Sequence, residues 1–379
     1  MKIVICGGHL TPAIATIEAL KKEENEVKIF FFGHLHSIEG DKSVSWESKI
    51  IPSLGIPFYP IITGRLQRKF TIHTIPSLFR VPIGFLQSFF LLLKIRPDLI
   101  CSFGSYVAVP PVIAGWILRI PIITHEQTKG MGLASKIVAF FAKKIALSYQ
   151  GSQKILPNSK TILVGNPIRD EIFYYKIRNK KLKAFLEESK IPLIYITGGN
   201  QGSHIINETV ANTLEWLLRR YRLLIQTGDS EVYKDFEMFK QLVSQLPDNL
   251  AARIWIVKYL YLDEIGSVLR NADLIIGRSG ANIIWEVGTL GKIAIFIPIP
   301  WSQNDEQTNN AKILFDLKTA EILPQNLLSP KMLAGKIELM FDNLEKYKND
   351  AVNAKIFFPR NGAQKLAQEI FSISKKYEV

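Results

Sequence analysis

The chain has 379 residues, 47% of them hydrophobic, and a formal net charge of +13. That length is too great for one ordinary core and calls for two domains, while the hydrophobic content is that of a globular protein and excludes a disordered one. The only cysteines, Cys6 and Cys101, fall in predicted strands, which excludes a disulfide framework and points to buried thiols in a reducing compartment.

The charge is unevenly placed. Residues 51–165 hold 13 Lys/Arg against 2 Asp/Glu, whereas residues 166–379 hold 28 against 25. The surplus of the first half suits nucleic acid, an anionic membrane face or a phosphorylated substrate. Met1-Lys2 leads straight into the first apolar run, so no secretory leader is expected.

Along the first half, short β-branched or aromatic runs predict strands at 2–6, 26–32, 58–62, 98–102, 120–124 and 144–148. Between them, helices are predicted at 11–23, 74–95, 107–118 and 131–142. Alternation of this kind implies a parallel sheet covered on both faces. The first strand runs into Gly7-Gly8-His9, with Pro12 in the first helical turn. Glycines there let a backbone approach a phosphate, and a helix N-terminus favours negative charge. The GxGxxG fingerprint of dinucleotide folds is absent.

Two stretches mix cations with large apolar groups. Arg65 to Phe70 includes Arg68 and Lys69, and Phe79 to Arg96 includes Phe85, Phe89 and Phe90. The apolar run Val81–Leu93 is too short to span a bilayer, which takes about 20 residues. It fits an interfacial contact in which Phe groups insert and Lys and Arg meet anionic headgroups. A nucleic-acid role is not expected, because the charges are interleaved with Phe and Leu and form no recognition helix. Further on, His125-Glu126-Gln127-Thr128 follows a strand; the His-Glu pair suits acid–base work, or only hydrogen bonding between loops. The scattered histidines and the missing HxxxH or CxxC spacing speak against a metal site.

Gly165-Asn166-Pro167 marks a turn and the domain border, giving domains 1–165 and 166–359, with a tail helix in 360–379 that packs back on the first. Arg169 beside it can fork onto phosphate oxygens. The second half repeats the pattern. A strand at 192–197 leads into Gly198-Gly199-Asn200-Gln201-Gly202-Ser203 and a helix at 201–218, with further strands at 223–226, 254–257, 274–276 and 293–297. Glycines and amides at a helix N-terminus suit a diphosphate. After the strand at 274–276 comes Arg278-Ser279-Gly280, then a helix with Glu286 in its second turn, placed to accept from both hydroxyls of a ribose. The polar loop Asp305-Glu306-Gln307 suits sugar hydroxyls.

Taken together, the blocks Gly7-Gly8-His9, Leu54–Phe58, Gly104-x-Tyr106, His125-Glu126-Gln127, Gly165-Asn166-Pro167-x-Arg169, Gly198-Gly199-x-Gln201-Gly202, Arg278–Ala281 with Glu286, and Asp305-x-Gln307 resemble the MurG family of glycosyltransferases over nearly the whole chain. The resemblance implies a GT-B fold, two Rossmann-like doubly wound domains facing a central cleft. It implies an inverting transfer of N-acetylglucosamine (GlcNAc) from UDP-GlcNAc to undecaprenyl-diphosphate-linked MurNAc-pentapeptide, in peptidoglycan synthesis. No metal or cofactor is implied, and the setting is peripheral, at the cytoplasmic face of the cell membrane. Within that pattern Gly7, Gly8, His9, Glu126 and Thr128 would face the acceptor, with His9 or Glu126 assisting proton removal. Arg169, Asn200 and Gln201 would hold the nucleotide and diphosphate, and Leu262 would lie against the uracil. Ala281, Asn282, Ile283, Ile284, Trp285 and Glu286 would line ribose and diphosphate, with Glu306 and Gln307 on the GlcNAc hydroxyls. Three departures stand out: a shortened opening loop, Thr128 in place of Asn, and Asn200 in place of Ser. The same fold also serves a transferase with another lipid acceptor, a UDP-GlcNAc epimerase, or a binding protein without turnover.

Overall fold

The computed structural model describes residues 1–36, 45–64, 74–150, 157–174, 177, 179–187, 189–199 and 201–375. Its contacts divide the chain into two units, one of Met1–Arg169 with Arg360–Val379 and one of Asp170–Pro359.

In the first unit the strands are β1 Lys2–Cys6, β2 Lys28–Gly33, β3 Phe58–Pro60, β4 Leu99–Ser102, β5 Ile122–Glu126, β6 Lys144–Leu147 and β7 Thr161–Leu163. They form one parallel sheet in the order β3-β2-β1-β4-β5-β6-β7. The central runs are apolar throughout because helices cover both faces. Each Ile or Val buried this way contributes about 1.5–3 kcal/mol relative to an exposed one. One face packs against the helix Leu10–Glu23 and the tail helix Gly362–Lys375, whose Ala363, Leu366, Ala367, Ile370 and Ile373 recur at helical spacing and join that core. The other face packs under the helices Thr74–Ile95, Val109–Ile117 and Leu133–Phe141. Cys6 and Cys101 are free and buried, and burial pushes both thiols up, Cys6 to about 12.

The second unit holds β8 Leu193–Thr197, β9 Arg222–Gln226, β10 Ile254–Val257, β11 Leu274–Gly277, β12 Ala294–Phe296 and β13 Ala320–Ile322, parallel in the order β10-β9-β8-β11-β12-β13. In each sheet the winding reverses once, between β1 and β4 and between β8 and β11. Ligands of open α/β sheets bind outside the carboxyl ends of strands at such a point.

Three expectations are corrected. The helix predicted at 201–218 is two, His204–Ala211 and Leu214–Arg220. It cannot start earlier because Gly202 has φ +78 and its Cα lies so close to the Thr227 carbonyl that an added Cβ would sit 2.0 Å from the oxygen. The strand predicted at 120–124 runs on to Glu126, so His125 and Glu126 belong to β5 itself. The three-residue edge strands β7 and β13, unannounced by the sequence, complete the sheets. No helix among the described residues is long and apolar enough to cross a membrane.

Candidate active site

At the second switch point the loops after β8 and β11 begin side by side, since Thr197 and Gly277 are register partners. The loop after β8 turns sharply: a Cβ on Gly198 would meet the Ser203 backbone nitrogen at 2.2 Å, and Gly199 has φ +84. Its shape is fixed from below. Gly199 N–H donates to Thr197 Oγ1 at 3.0 Å, and its carbonyl accepts from Gln226 Nε2 at 3.2 Å. Gln226 Oε1 in turn accepts from the buried Tyr195 hydroxyl at 3.0 Å. Burial raises the Tyr195 pKa well above the phenol range; a hydrogen bond with Thr197 lowers it and the charge of Glu286 raises it further. Glu286 is thus electrostatically in touch with the same floor.

Glu286 lies in the second turn of the helix Ala281–Leu290 and is only 7% exposed, so it is no solvated helix-start residue. Asn282 and Ile283 are half-buried and Ala281 is buried at the start of the helix. The side chains of Ile284 and Trp285, expected to line ribose and diphosphate, are turned by helical periodicity into the core, where Trp285 meets Phe358 edge-on with ring centroids 5.1 Å apart. Gln201 is exposed, while Asn200 and the side chain of Leu262 lie outside the described residues. Gln307 is spent on architecture as well as available to a ligand. Its Oε1 accepts from Ile299 N–H at 3.1 Å and more distantly from Ser279 N–H at 3.4 Å, and Ser279 Oγ donates to its carbonyl at 2.8 Å. With Oε1 so engaged, the amide nitrogen is the group left to offer a sugar hydroxyl. Glu306, half-buried at the start of the helix Glu306–Asp316, has its pKa raised by burial and lowered by a hydrogen bond from Asn310.

At the first switch point the backbone itself closes the gap. A Cβ on Gly7 (φ +142) would sit 2.9 Å from the Phe103 carbonyl carbon, and one on Gly8 would sit 2.8 Å from Ser105 Oγ. His9 follows as the N-cap of the first helix, exposed and without a capping hydrogen bond from its side chain. Desolvation lowers its pKa, although the exposed side chain keeps contact with water; on either count the neutral imidazole, the form a base requires, prevails at neutral pH. Glu126 is buried, and its Oε1 accepts from Thr128 N–H at 3.1 Å. The Thr128 hydroxyl lies 2.8 Å from the same oxygen and 2.6 Å from the Gly130 carbonyl, so its single proton serves one of them. His125 is structural: buried, with Nε2 3.1 Å from the Gly165 carbonyl and 3.2 Å from Ser148 Oγ. Burial pushes its pKa down to about 4 against the opposing Gly165 hydrogen bond. Arg169, expected to hold the nucleotide and diphosphate, is buried.

The apolar face of the helix Thr74–Ile95 is also corrected. Phe85 and Phe89 are half-buried and pack on the core, whereas Ile83, Leu86, Phe90 and Leu93 point outward, Phe90 64% exposed. Trp116 and Ile117 on the next helix and Phe140 on the one after are exposed too, and Phe141 links Trp116 to Phe140 through ring contacts of 5.1 Å each. Arg80, Lys94, Arg119, Lys136 and Lys143 are exposed on or beside the same helices. Arg68 and Lys69 lie outside the described residues. Trp116 and Phe140 were unread in the sequence, where each sits inside an ordinary apolar helical run.

Comparison with known proteins agrees along the whole chain. Residues 6–147 match the glycosyltransferase family 28 N-terminal domain, and residues 193–370 match its C-terminal domain. A Treponema denticola UDP-N-acetylglucosamine–N-acetylmuramyl-(pentapeptide) pyrophosphoryl-undecaprenol N-acetylglucosamine transferase is 32% identical, covering 84% of this chain and 81% of its own. A second enzyme of that name from Bacillus cereus is 33% identical, covering 92% and 93%. Among solved structures, Acinetobacter baumannii MurG superposes with a TM-score of 0.71 at 23% identity, over 98% of this chain and 99% of that one. UDP-GlcNAc 2-epimerase from Neisseria meningitidis superposes with 0.65 at 12% identity, over 98% and 100%. These superpositions speak to the fold, which is GT-B with two Rossmann-like units.

Proposed function

The chain belongs to the MurG family of glycosyltransferases, and from that premise we propose that it moves GlcNAc from UDP-GlcNAc to the undecaprenyl-diphosphate-linked MurNAc-pentapeptide of peptidoglycan synthesis. The observation that carries the reading is its relation, over more than four-fifths of both chains, to enzymes bearing that one activity in their names.

The acceptor hydroxyl attacks the anomeric carbon from the face opposite UDP. The new glycosidic bond forms as the bond to the diphosphate oxygen breaks, the anomeric centre inverts, and UDP carries away the electron pair. The hydroxyl proton passes to a base. His9 suits that task better than Glu126, because it is exposed and neutral whereas Glu126 is buried and tied to Thr128. Glu286 takes the ribose hydroxyls, the Gln307 amide a GlcNAc hydroxyl, and the Gly198–Ser203 loop the diphosphate. The reading calls for no metal, since fixed N–H dipoles and cations carry the leaving-group charge.

The exposed stripe Ile83, Leu86, Phe90 and Leu93 with Trp116 and Phe140, ringed by cations, supports peripheral attachment to an anionic membrane at the cytoplasmic face, where a lipid-borne acceptor is met. The deciding experiment is transfer of labelled GlcNAc from UDP-GlcNAc to a short-chain polyprenyl-diphosphate muramyl peptide in the presence of EDTA. Product without added metal is the expected result; absence of product, or conversion of UDP-GlcNAc to another sugar nucleotide without acceptor, would overturn it. For the membrane contact, Leu86→Ser with Phe90→Ser and Trp116→Ser should release the protein from anionic liposomes while leaving transfer to a water-soluble acceptor intact.

A further inference from the structure

The second switch point holds a charge that the account of donor binding leaves unused. Arg278 follows β11 directly and is half-buried. Its Nη2 donates to Ser203 Oγ at 2.7 Å and its Nη1 to the Ile297 carbonyl at 2.9 Å. Both acceptors are neutral. The rest of its fork has no partner among the described residues, and no carboxylate there pairs with it. Burial alone acts on its pKa, lowering it to about 10, with no acidic group pulling the other way; the guanidinium is therefore fully charged at neutral pH.

A cation withdrawn from water without a counter-charge is costly to the fold. The two hydrogen bonds do not explain the expense, because a neutral amide would serve two neutral acceptors as well. Location supplies the reason. Arg278 crosses the gap between adjacent strands β8 and β11, from the turn that precedes the Glu286 helix to Ser203, the N-cap of the helix after the glycine loop. The helices that follow β11 and β12 carry two carboxylates, Glu286 and Glu306, and neither bonds to it.

We infer that Arg278 is the standing counter-charge for the donor's diphosphate, a cation kept half-buried and free of acidic partners so that a dianionic ligand completes it. This rests on the UDP-sugar reading and adds to it a residue that tells a nucleoside diphosphate from a nucleoside. The same charge faces UDP as it leaves, when negative charge on the bridging oxygen is growing, and so favours the transition state over the bound donor.

The test compares wild type, Arg278→Gln and Arg278→Lys, all full chain, for binding of UDP and of uridine by calorimetry, with ligand-free melting alongside. Arg278→Gln should lose about 30-fold or more in UDP affinity, the usual scale for removing one partner of a buried charge contact. Its affinity for uridine should stay within about 2-fold and its ligand-free Tm should not fall, since an uncompensated cation has been removed. Arg278→Lys, which keeps the charge, should recover part of the preference for UDP. An unchanged ratio of UDP to uridine affinity in Arg278→Gln overturns the inference, whether both affinities hold or both fall with a lower Tm, as for a mere clamp between loops. Arg278→Lys no better than Arg278→Gln also overturns it. Wild type that binds no UDP or UDP-GlcNAc would bring down the donor reading itself; wild type that binds, with an indifferent Arg278→Gln, sinks only this inference.

Discussion

The two units solve one geometrical problem in different ways. Each must bring two loops together where its sheet changes winding direction. The second unit bridges the gap with side chains: Arg278 to Ser203, Gln307 to Ser279, Gln226 to Gly199. The first unit closes it with backbone, Gly7 lying against Phe103 and Gly8 against Ser105. Polar side chains held by one another make a preorganised mould for a fixed polar ligand, whereas a backbone seam leaves His9 out in solvent to meet a second substrate. On the proposed reading, the second unit suits recognition of the donor and the first suits presentation of a base.

The heaviest blow to that contrast comes from the base. His9→Ala should lower kcat by about 10²–10⁴-fold, the range of general base catalysis, while UDP-GlcNAc binding stays within about 2-fold. A comparable loss in Glu126→Gln with His9→Ala near wild type would move the base onto β5. Next in size is Glu286→Ala, expected to cost about 100-fold in kcat/KM through two hydrogen bonds to a charged acceptor. A donor with 2′-deoxyribose should be impaired with wild type and show no further loss with the variant; a full additional loss would detach Glu286 from the ribose.

The fold was largely legible because the central strands are buried on both faces and read as unbroken apolar runs, such as Leu193–Thr197. The place of Glu286 in its helix was legible too, one helical turn and a half behind a glycine turn. Other features were not, for physical reasons. Phe85 and Phe89 have the same i, i+4 spacing as Leu86 and Phe90, and both pairs are apolar, so periodicity cannot choose which faces out; packing against Val109–Ile117 decides. Ile284 and Trp285 were grouped with Glu286 because adjacency in sequence hides the rotation between helix positions. Arg278 resembled any surface arginine in a turn, since nothing in one sequence says that its neighbours hold no acid.

Acid should divide the units. His125, buried in the first, has a folded pKa of about 4 against 6.5 for the free group. Its depressed pKa means the unfolded chain takes the proton first, so stability is fully present above pH 6.5, falls as the pH drops from there towards 4, and is level again below. The loss approaches about 3 kcal/mol from this residue alone. Urea titrations at pH 7 and pH 4.5, followed by a tryptophan of each unit, should show the first unit losing more. His125→Gln should flatten that difference; a pH dependence unchanged in the variant would place the sensitive group elsewhere.

The smallest expected effect sharpens the contrast most directly. Among the described residues of the loop after β8 the positive-φ ones are the glycines Gly199 and Gly202, whereas the loop after β4 has Ser105 at φ 66 and ψ 159, beside Gly104 at φ 67. That region suits glycine and costs other residues about 1–3 kcal/mol. What holds the serine there is contact: its Oγ lies against Gly8 and 3.4 Å from His34 Nε2, whose ring meets Tyr106 at 4.5 Å. Ser105→Gly should relieve the backbone and raise unfolding free energy by about 1 kcal/mol, less than the full strain because glycine also gains freedom in the unfolded chain. It should also loosen the seam on which His9 stands, raising KM for the acceptor and leaving KM for UDP-GlcNAc alone. Ser105→Ala keeps the strain and loses only the hydroxyl, so it separates the two causes: a KM effect in Ala equal to that in Gly assigns it to the hydroxyl, and one confined to Gly assigns it to the held backbone. A fall in stability for Ser105→Gly would mean that the contacts outweigh the strain, and that the first unit's seam is as much a side-chain construction as the second's.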